Sequence, residues 1–378
     1  MANPLQELFD KGGVSVWYDS LSRAMLQSGS LQKMIDEDGL RGQTSNPTIF
    51  QGAISKGKDY DQQSLELARQ GKSTEEIAWE LMITDVQAAC DKFRPLYDKT
   101  SGQDGFVSLE LHPGYAHETE KSLSQARELH ARVNRPNLMI KVPGTKEGLP
   151  VAEALLFEGV NVNVTLLFAV QRYDEVMQAY LRAIERRLAE GRSVDRIASV
   201  ASFFVSRVDS EADKRLDKLA QEKPELAGRI APLHGMIAVA NAHRAYAHFQ
   251  KTFSGPRWEK LAAAGARVQR PLWASTSTKN KAYSDTLYVG ELIGPHCVNT
   301  MPLETVDAWR DHGVVQTTLT AENLKKYEAA LSELAAVGVD LDDICLNTLE
   351  VEGVKKFADS FDELLGAVEK NVHQLQHS

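Results

Sequence analysis

The chain has 378 residues, 43% hydrophobic and 25% charged, with 43 Lys and Arg against 52 Asp and Glu for a net charge of -9. That profile belongs to a folded chain with length to spare for a large core. The acidic balance argues against broad binding to nucleic acid or to anionic membranes, and no apolar run approaches membrane-spanning length. Residues 1–10 lack the basic-then-apolar pattern of a secretory signal, and Cys90, Cys297 and Cys345 are far apart with no Cys-x-x-Cys pair. These features fit a reducing cytoplasm.

In chain order, eight short β-branched or aromatic runs recur between amphipathic stretches: 14–19, 42–46, 106–111, 138–142, 160–166, 198–205, 271–276 and 297–301. Ser73-Thr74-Glu75-Glu76 reads as a capping box that opens a helix before the third run. Leu123, Ala126, Leu129 and Val133 make a helical stripe before the fourth, and Tyr173, Met177, Tyr180, Leu181, Ile184 and Leu188 make another after the fifth. Strand and helix alternating eight times predicts an α/β fold, a (β/α)8 TIM barrel. Residues 47–105 and 207–270 are too long for one helix each and are expected to hold extra helices outside the barrel. The tail from about 320, with Leu324, Tyr327, Leu331 and Leu334 at helical spacing, is expected to add helices that cover it. With no repeat, charge block or Gly/Ser-rich linker, residues 1–378 read as one domain.

The fourth run, Leu138-Met139-Ile140-Lys141-Val142-Pro143-Gly144, holds a lysine in an otherwise apolar strand. In a parallel sheet covered on both faces such an ammonium is desolvated or paired. Read alone, Lys141 is more often a snorkelling or salt-bridged residue than a nucleophile. Its neighbours change that balance, because side chains at the carboxyl ends of barrel strands converge on one site. Alternation turns Asp19 inward from the first strand and Glu110 from the third; the fifth brings Asn163 and Thr165, the sixth Ser202 and Phe204 with Arg207 just beyond, and the seventh Ser275, Ser277 and Lys279. Each has an ordinary reading: Asp19 could cap a helix, Glu110 could merely pair with Lys141, and Arg207 could be an exposed salt-bridge residue. One lysine and two carboxylates at three strand ends can instead make and break carbon-carbon bonds through an imine. The protonated imine takes up the electron pair of the broken bond while a carboxylate removes the hydroxyl proton across it.

Three segments resemble the transaldolase family. They are Thr44-Ser45-Asn46-Pro47-Thr48, the Lys141 strand with Pro143, and Asn163-Val164-Thr165-Leu166-Leu167-Phe168. The resemblance runs from about residue 14 to 301. It implies that Lys141 forms the Schiff base, that Asp19 is base and acid for the cleaved hydroxyl, and that Glu110 and Thr165 with a water relay protons. It also implies that Asn46, Asn163 and Ser202 hold the hydroxyls of a dihydroxyacetone unit and that Arg207 holds phosphate. The implied reaction moves that unit from sedoheptulose 7-phosphate to glyceraldehyde 3-phosphate with no metal or organic cofactor. Consistently, the sequence has no His-Glu-x-x-His, no Walker loop and no Gly-x-Gly-x-x-Gly; His112 and His117 are the one pair worth testing as metal ligands. Many transaldolases carry an arginine after the seventh-strand serine where this chain has Thr278-Lys279, so Ser277 and Lys279 are expected to share the phosphate. Phosphosugars are the expected partners, and self-association is compatible with the sequence. The alternatives are a fructose 6-phosphate aldolase on the same scaffold, against which Phe204 and Glu110 speak because those relatives usually carry Tyr and Gln there, and a non-catalytic phosphosugar-binding barrel.

Overall fold

The computed structural model describes residues 3–377. Eight parallel strands close into a barrel in sequence order: β1 (Val14–Asp19), β2 (Gly42–Thr44), β3 (Phe106–Glu110), β4 (Leu138–Pro143), β5 (Val162–Leu167), β6 (Ser199–Phe204), β7 (Arg270–Ala274) and β8 (Cys297–Met301). β8 returns to pair with β1, Val14 opposite Cys297 and Tyr18 opposite Met301. The register sets Glu110 beside Lys141 and Lys141 beside Asn163, which aligns three polar positions on neighbouring strands.

All eight predicted strands are present, and where their ends differ from expectation local chemistry is the reason. β2 stops at Thr44 because Asn46 caps the next helix, Pro47–Lys56, its side chain accepting from the Ile49 amide at 2.9 Å with Pro47 in the first turn. β5 starts late because the Asn161 amide donates to Pro136 O at 3.0 Å while its oxygen accepts from Ala198 N at 3.0 Å, tying three strands below the ladder. Two strand ends pass through left-handed backbone without glycine, Leu166 at φ 60° and Ser275 at φ 55°. Such conformations are costly for residues with a Cβ and cluster where the backbone aims groups into a site.

The long insertions hold helices as expected: Pro47–Lys56, Asp61–Arg69 and Thr74–Lys99 in the first, and Ser206–Glu222, Ile237–Thr252 and Gly255–Ala263 in the second, with shorter turns between. The Ser73–Glu76 capping box is formed on both sides. The tail does more than cover the outside. After helix Ala321–Val337, a π-helical turn at Asp343–Leu349 leads into Glu350–Gln376, which packs across Pro47–Lys56. Thr48 and Ser360 hydroxyls meet at 2.7 Å, and Gly353 sits so close to β5 that a Cβ there would lie 3.1 Å from Leu166 Cδ2. The last long helix is thereby laid over the carboxyl ends of the strands.

The opposite end of the barrel is closed by charge. Buried Asp104 accepts from Arg41 Nε at 2.7 Å, Arg270 Nη1 at 2.9 Å and the Ser15 hydroxyl at 2.9 Å. Asp104→Ala would leave two partly buried guanidinium groups without their shared carboxylate, and removing one member of a buried pair costs about 3–5 kcal/mol. Chemical denaturation is expected to show a loss of that size; a change under about 1 kcal/mol would mean that the cluster is solvated well enough to be dispensable.

Candidate active site

At the carboxyl ends of the strands a cleft of about 170 Å³ is lined by Asp19, Thr44, Asn46, Lys141, Thr165, Ser202, Phe204, Arg207, Ala274, Ser275, Ser277, Lys279, Thr300, Pro302, Glu304 and Phe357. Ten of the twelve residues singled out from sequence face it. Glu110 and Asn163 stand behind it, against Lys141 and Ser202.

Lys141 is buried, its Nζ donating to Ser45 O at 3.0 Å and lying 3.4 Å from Glu110 Oε2. The second contact is within ion-pair range but is not a directed hydrogen bond, so Glu110 Oε2 is otherwise unpartnered. Burial is the main cause that pushes the Glu110 carboxyl up to about 7; Lys141 opposes it and Asp19 adds to it. Asp19 is raised as well, chiefly by burial, with Lys141, a hydrogen bond from Thr44, Arg207 and Lys279 pulling the other way. The Thr44 hydroxyl reaches Asp19 Oδ1 at 2.7 Å and the Thr300 hydroxyl at 2.6 Å, which fixes the carboxylate's orientation. Two carboxyl groups, both raised chiefly by burial, thus stand near one amine, the arrangement that acid-base work in a dry site calls for.

On the next strands, Ser202 Oγ donates to Asn163 Oδ1 at 2.7 Å and Asn163 Nδ2 donates to Ser108 Oγ at 3.1 Å. Asn163 therefore orients Ser202. Asn46 faces the cleft with its oxygen committed to the helix cap, which leaves its NH2 as a donor. Thr165 Oγ1 is buried with no partner among the described residues.

The outer wall is cationic. The Arg207 guanidinium lies 5.3 Å above the Phe204 ring, has no hydrogen-bond or ion-pair partner among the described residues, and is lowered mainly by burial. Lys279 Nζ donates to Ser277 Oγ at 2.5 Å, and the Ser206 and Ser275 hydroxyls lie 2.8 Å apart. Phe204 packs on Phe168, ring centroids 5.2 Å apart, so this wall of the reaction chamber carries no hydroxyl.

Sequence reasoning missed Thr44, Thr300, Pro302, Glu304 and Phe357. Phe357 comes from the last helix, and its ring lies 5.9 Å from Lys141 Nζ. Nothing in a single aromatic on an amphipathic stripe distinguishes it from core, whereas Thr44 and Thr300 share the inward parity already used for Asp19 and Ser202. His112 and His117 do not converge: His112 stacks on Tyr115 at 4.6 Å and His117 contacts Glu147 at 3.1 Å. Among the described residues no helix is long and apolar enough to cross a membrane. A larger cavity of about 460 Å³ lies at the opposite end of the barrel, where Asp104 is paired with Arg270.

Comparison with known proteins agrees with this geometry. Residues 16–368 match the family model for transaldolase/fructose-6-phosphate aldolase. The transaldolase of Parafrankia sp. (strain EAN1pec) is 49% identical over 98% of this chain and 99% of its own length. That of Mycobacterium tuberculosis H37Rv is 50% identical over 96% of both, and that of Frankia alni 47% over 97% of both. An enzyme with a buried lysine between two carboxyls, matched across nearly its whole length, this chain belongs to the transaldolase/fructose-6-phosphate aldolase family.

Proposed function

We propose that the protein is a transaldolase acting on phosphosugars through an imine on Lys141, moving a dihydroxyacetone unit from sedoheptulose 7-phosphate to glyceraldehyde 3-phosphate. The observation that carries this reading is the placement of a buried lysine against a carboxyl raised to about 7, with a second raised carboxyl on the same cleft. In this reading Lys141 adds to the ketose C2 carbonyl while Glu110 and Thr165 move the protons that let water leave. Asp19 takes the C4 hydroxyl proton, the C3–C4 bond breaks, its electron pair enters the iminium to give an enamine, and an aldose phosphate departs. The acceptor aldehyde is then attacked by the enamine, Asp19 returns its proton, and hydrolysis releases fructose 6-phosphate. Asn46 and Ser202 donate to or accept from the hydroxyls of the three-carbon unit, while Arg207, Ser277 and Lys279 take the phosphate. The three buried, unpaired cysteines favour a cytoplasmic location for this chemistry.

Borohydride reduction in the presence of fructose 6-phosphate tests the proposal. A reduced three-carbon adduct on Lys141, located by peptide mass, is expected; an adduct on another residue, or none, would overturn it. The same assay reads the role of Glu110. Its ionised form is the proton acceptor, and that form is depleted as pH falls through about 7. Imine formation is therefore expected to slow on the acid side with an inflection near that value, and Glu110→Gln to remove the inflection as well as most of the rate. An unshifted profile in that variant would assign the inflection to another group.

The dry wall at Phe204 favours transfer over simple aldol cleavage. An enamine released from proton donors persists until an acceptor aldehyde arrives, whereas a phenolic hydroxyl at this place could support its protonation. Phe204→Tyr is expected to raise release of free dihydroxyacetone from fructose 6-phosphate by about tenfold or more, the scale of a single added acid-base group. No gain would mean that the enamine is protected by something other than this ring.

A further inference from the structure

The cationic wall of the cleft comes from two separate elements, the helix after β6 and the loop after β7, so the site depends on what fixes one against the other. Helix Ser206–Glu222 opens with Arg207 and presents Asp209 and Asp213 one turn apart on the same face. Both carboxylates reach the segment between β7 and β8. Tyr288 donates to Asp209 Oδ2 at 2.7 Å, and Tyr283 donates to Asp213 Oδ2 at 2.6 Å. The other oxygen of each accepts from a backbone amide, that of Ala238 at 2.7 Å and that of Gly235 at 3.2 Å. We propose that Asp213 and Tyr283 are positioning residues of the phosphate site, tying the loop that carries Ser277 and Lys279 to the helix that carries Arg207. This rests on the phosphosugar reading given above.

The course of the loop supports the assignment. Its start is held by the barrel, where Ser206 N donates to Ser275 O at 3.0 Å and the Thr276 hydroxyl donates to Asn299 Oδ1 at 2.8 Å. Its end is held by buried Tyr288. Between them the loop closes on itself, the Thr278 hydroxyl on Ser284 O at 2.7 Å and Tyr283 N on Asn280 O at 3.0 Å. Among the described residues, the side-chain hydrogen bonds that leave residues 277–286 are those of Tyr283 with Asp213 and of Asp285 with His312. The second is an exposed pair, of a kind that contributes little. The Tyr283 ring also has a seat made for it: Gly235 is at φ 70°, and a Cβ there would lie 2.8 Å from Tyr283 Cζ, so only a residue without one lets the ring lie against this backbone. Burial first, and then the carboxylates of Asp213 and Asp209, push the phenol above its ordinary range, so it stays a donor. Lys279 is the residue that depends most on such an anchor. It is exposed at the rim with Nζ on Ser277 Oγ at 2.5 Å, and a flexible stem places its charge only as well as the backbone beneath it is placed.

The test measures the inhibition constant of inorganic phosphate, and KM and kcat for fructose 6-phosphate, at constant ionic strength in the parent, Tyr283→Phe, Asp213→Ala and Asp213→Asn. Tyr283→Phe removes one hydroxyl from a half-buried ring and leaves the ring's packing in place. It is expected to raise the phosphate constant and KM about tenfold, the scale of one hydrogen bond to a charged group, with kcat within about twofold of the parent. Borohydride trapping with dihydroxyacetone, a ketone that carries no phosphate, should proceed as in the parent. Asp213→Ala should match Tyr283→Phe, whereas Asp213→Asn should recover most of the loss, because its oxygen still accepts from Gly235 and its NH2 can donate to the phenol. In a Ser277→Ala/Lys279→Ala background, adding Tyr283→Phe should raise the phosphate constant no further, since the residues it positions are gone. Full additivity in that background, or phosphate inhibition and KM unchanged in Tyr283→Phe, would overturn the assignment while the phosphosugar reading stands. A parallel fall in kcat and in dihydroxyacetone trapping would show a general disturbance of the barrel and overturn it equally. A parent that neither responds to phosphate nor traps fructose 6-phosphate would remove the phosphosugar reading and this inference together.

Discussion

Lys141→Met is expected to lower the transfer rate at least about 10⁴-fold, a modest share of the acceleration that enzymes achieve over uncatalysed reactions, and to abolish the borohydride adduct. The size follows from the chemistry. Without the amine no iminium forms, and the electron pair of the C3–C4 bond has nowhere to go. The variant is expected to fold, because methionine fills a similar volume beside Phe357 and burial already favours the neutral form of Glu110, which needs no counter-charge once the ammonium is gone. Lys141→Arg separates nucleophile from charge: it keeps a cation next to Glu110 but cannot form an imine. Equal inactivity in the two variants would place the effect on the covalent step. Substantial activity in Lys141→Arg would instead mean that Lys141 acts only by its charge, and the imine mechanism would fall.

How much of this was legible before the structure differs between parts of the site for physical reasons. The strands announced themselves because β-branched runs bounded by turns leave few alternatives, and β1 and β8 were placed to the residue. Strand alternation then carried Asp19, Lys141 and Ser202 to the correct face. The same alternation placed Glu110 and Asn163 inward but could not show that they lie one layer back, since depth depends on how neighbours such as Ser108 and Ser202 fill the interior. Thr44 and Thr300 were reachable by parity, but a threonine in a strand is too common to stand out. Phe357 was not legible at all. Its place depends on a turn at Asp343–Leu349 and on the absence of a side chain at Gly353, which together bring the last helix over residues nearly two hundred positions away in sequence, as the Leu166 contact shows. The aromatic that closes the cleft over Lys141 thus belongs to a segment whose own pattern predicts only packing.

Asp19→Asn should produce the second largest effect, a fall in kcat of about 10²–10⁴-fold, the range for loss of a positioned acid-base group, with little change in KM. The amide keeps the shape of the carboxylate and its oxygen can still accept from Thr44, so the strand end need not rearrange. What it loses is the capacity to receive a proton. Burial raises Asp19 above the usual carboxylate range and so strengthens it as a base, while Lys141, Arg207 and Lys279 restrain that rise and keep an ionised fraction available. Since Asp19 acts in this mechanism after the imine exists, borohydride should still trap Asp19→Asn incubated with fructose 6-phosphate. The trapped species is expected to carry six carbons rather than three, because the C4 hydroxyl proton has no acceptor and the C3–C4 bond stays intact. The adduct's mass therefore reports which side of the bond-breaking step each residue serves: none in Lys141→Met, six carbons in Asp19→Asn, three in the parent. A three-carbon adduct accumulating at the parent rate in Asp19→Asn would hand the base role to another group, and Glu110, which stands behind the amine rather than on the cleft, would be the next to test.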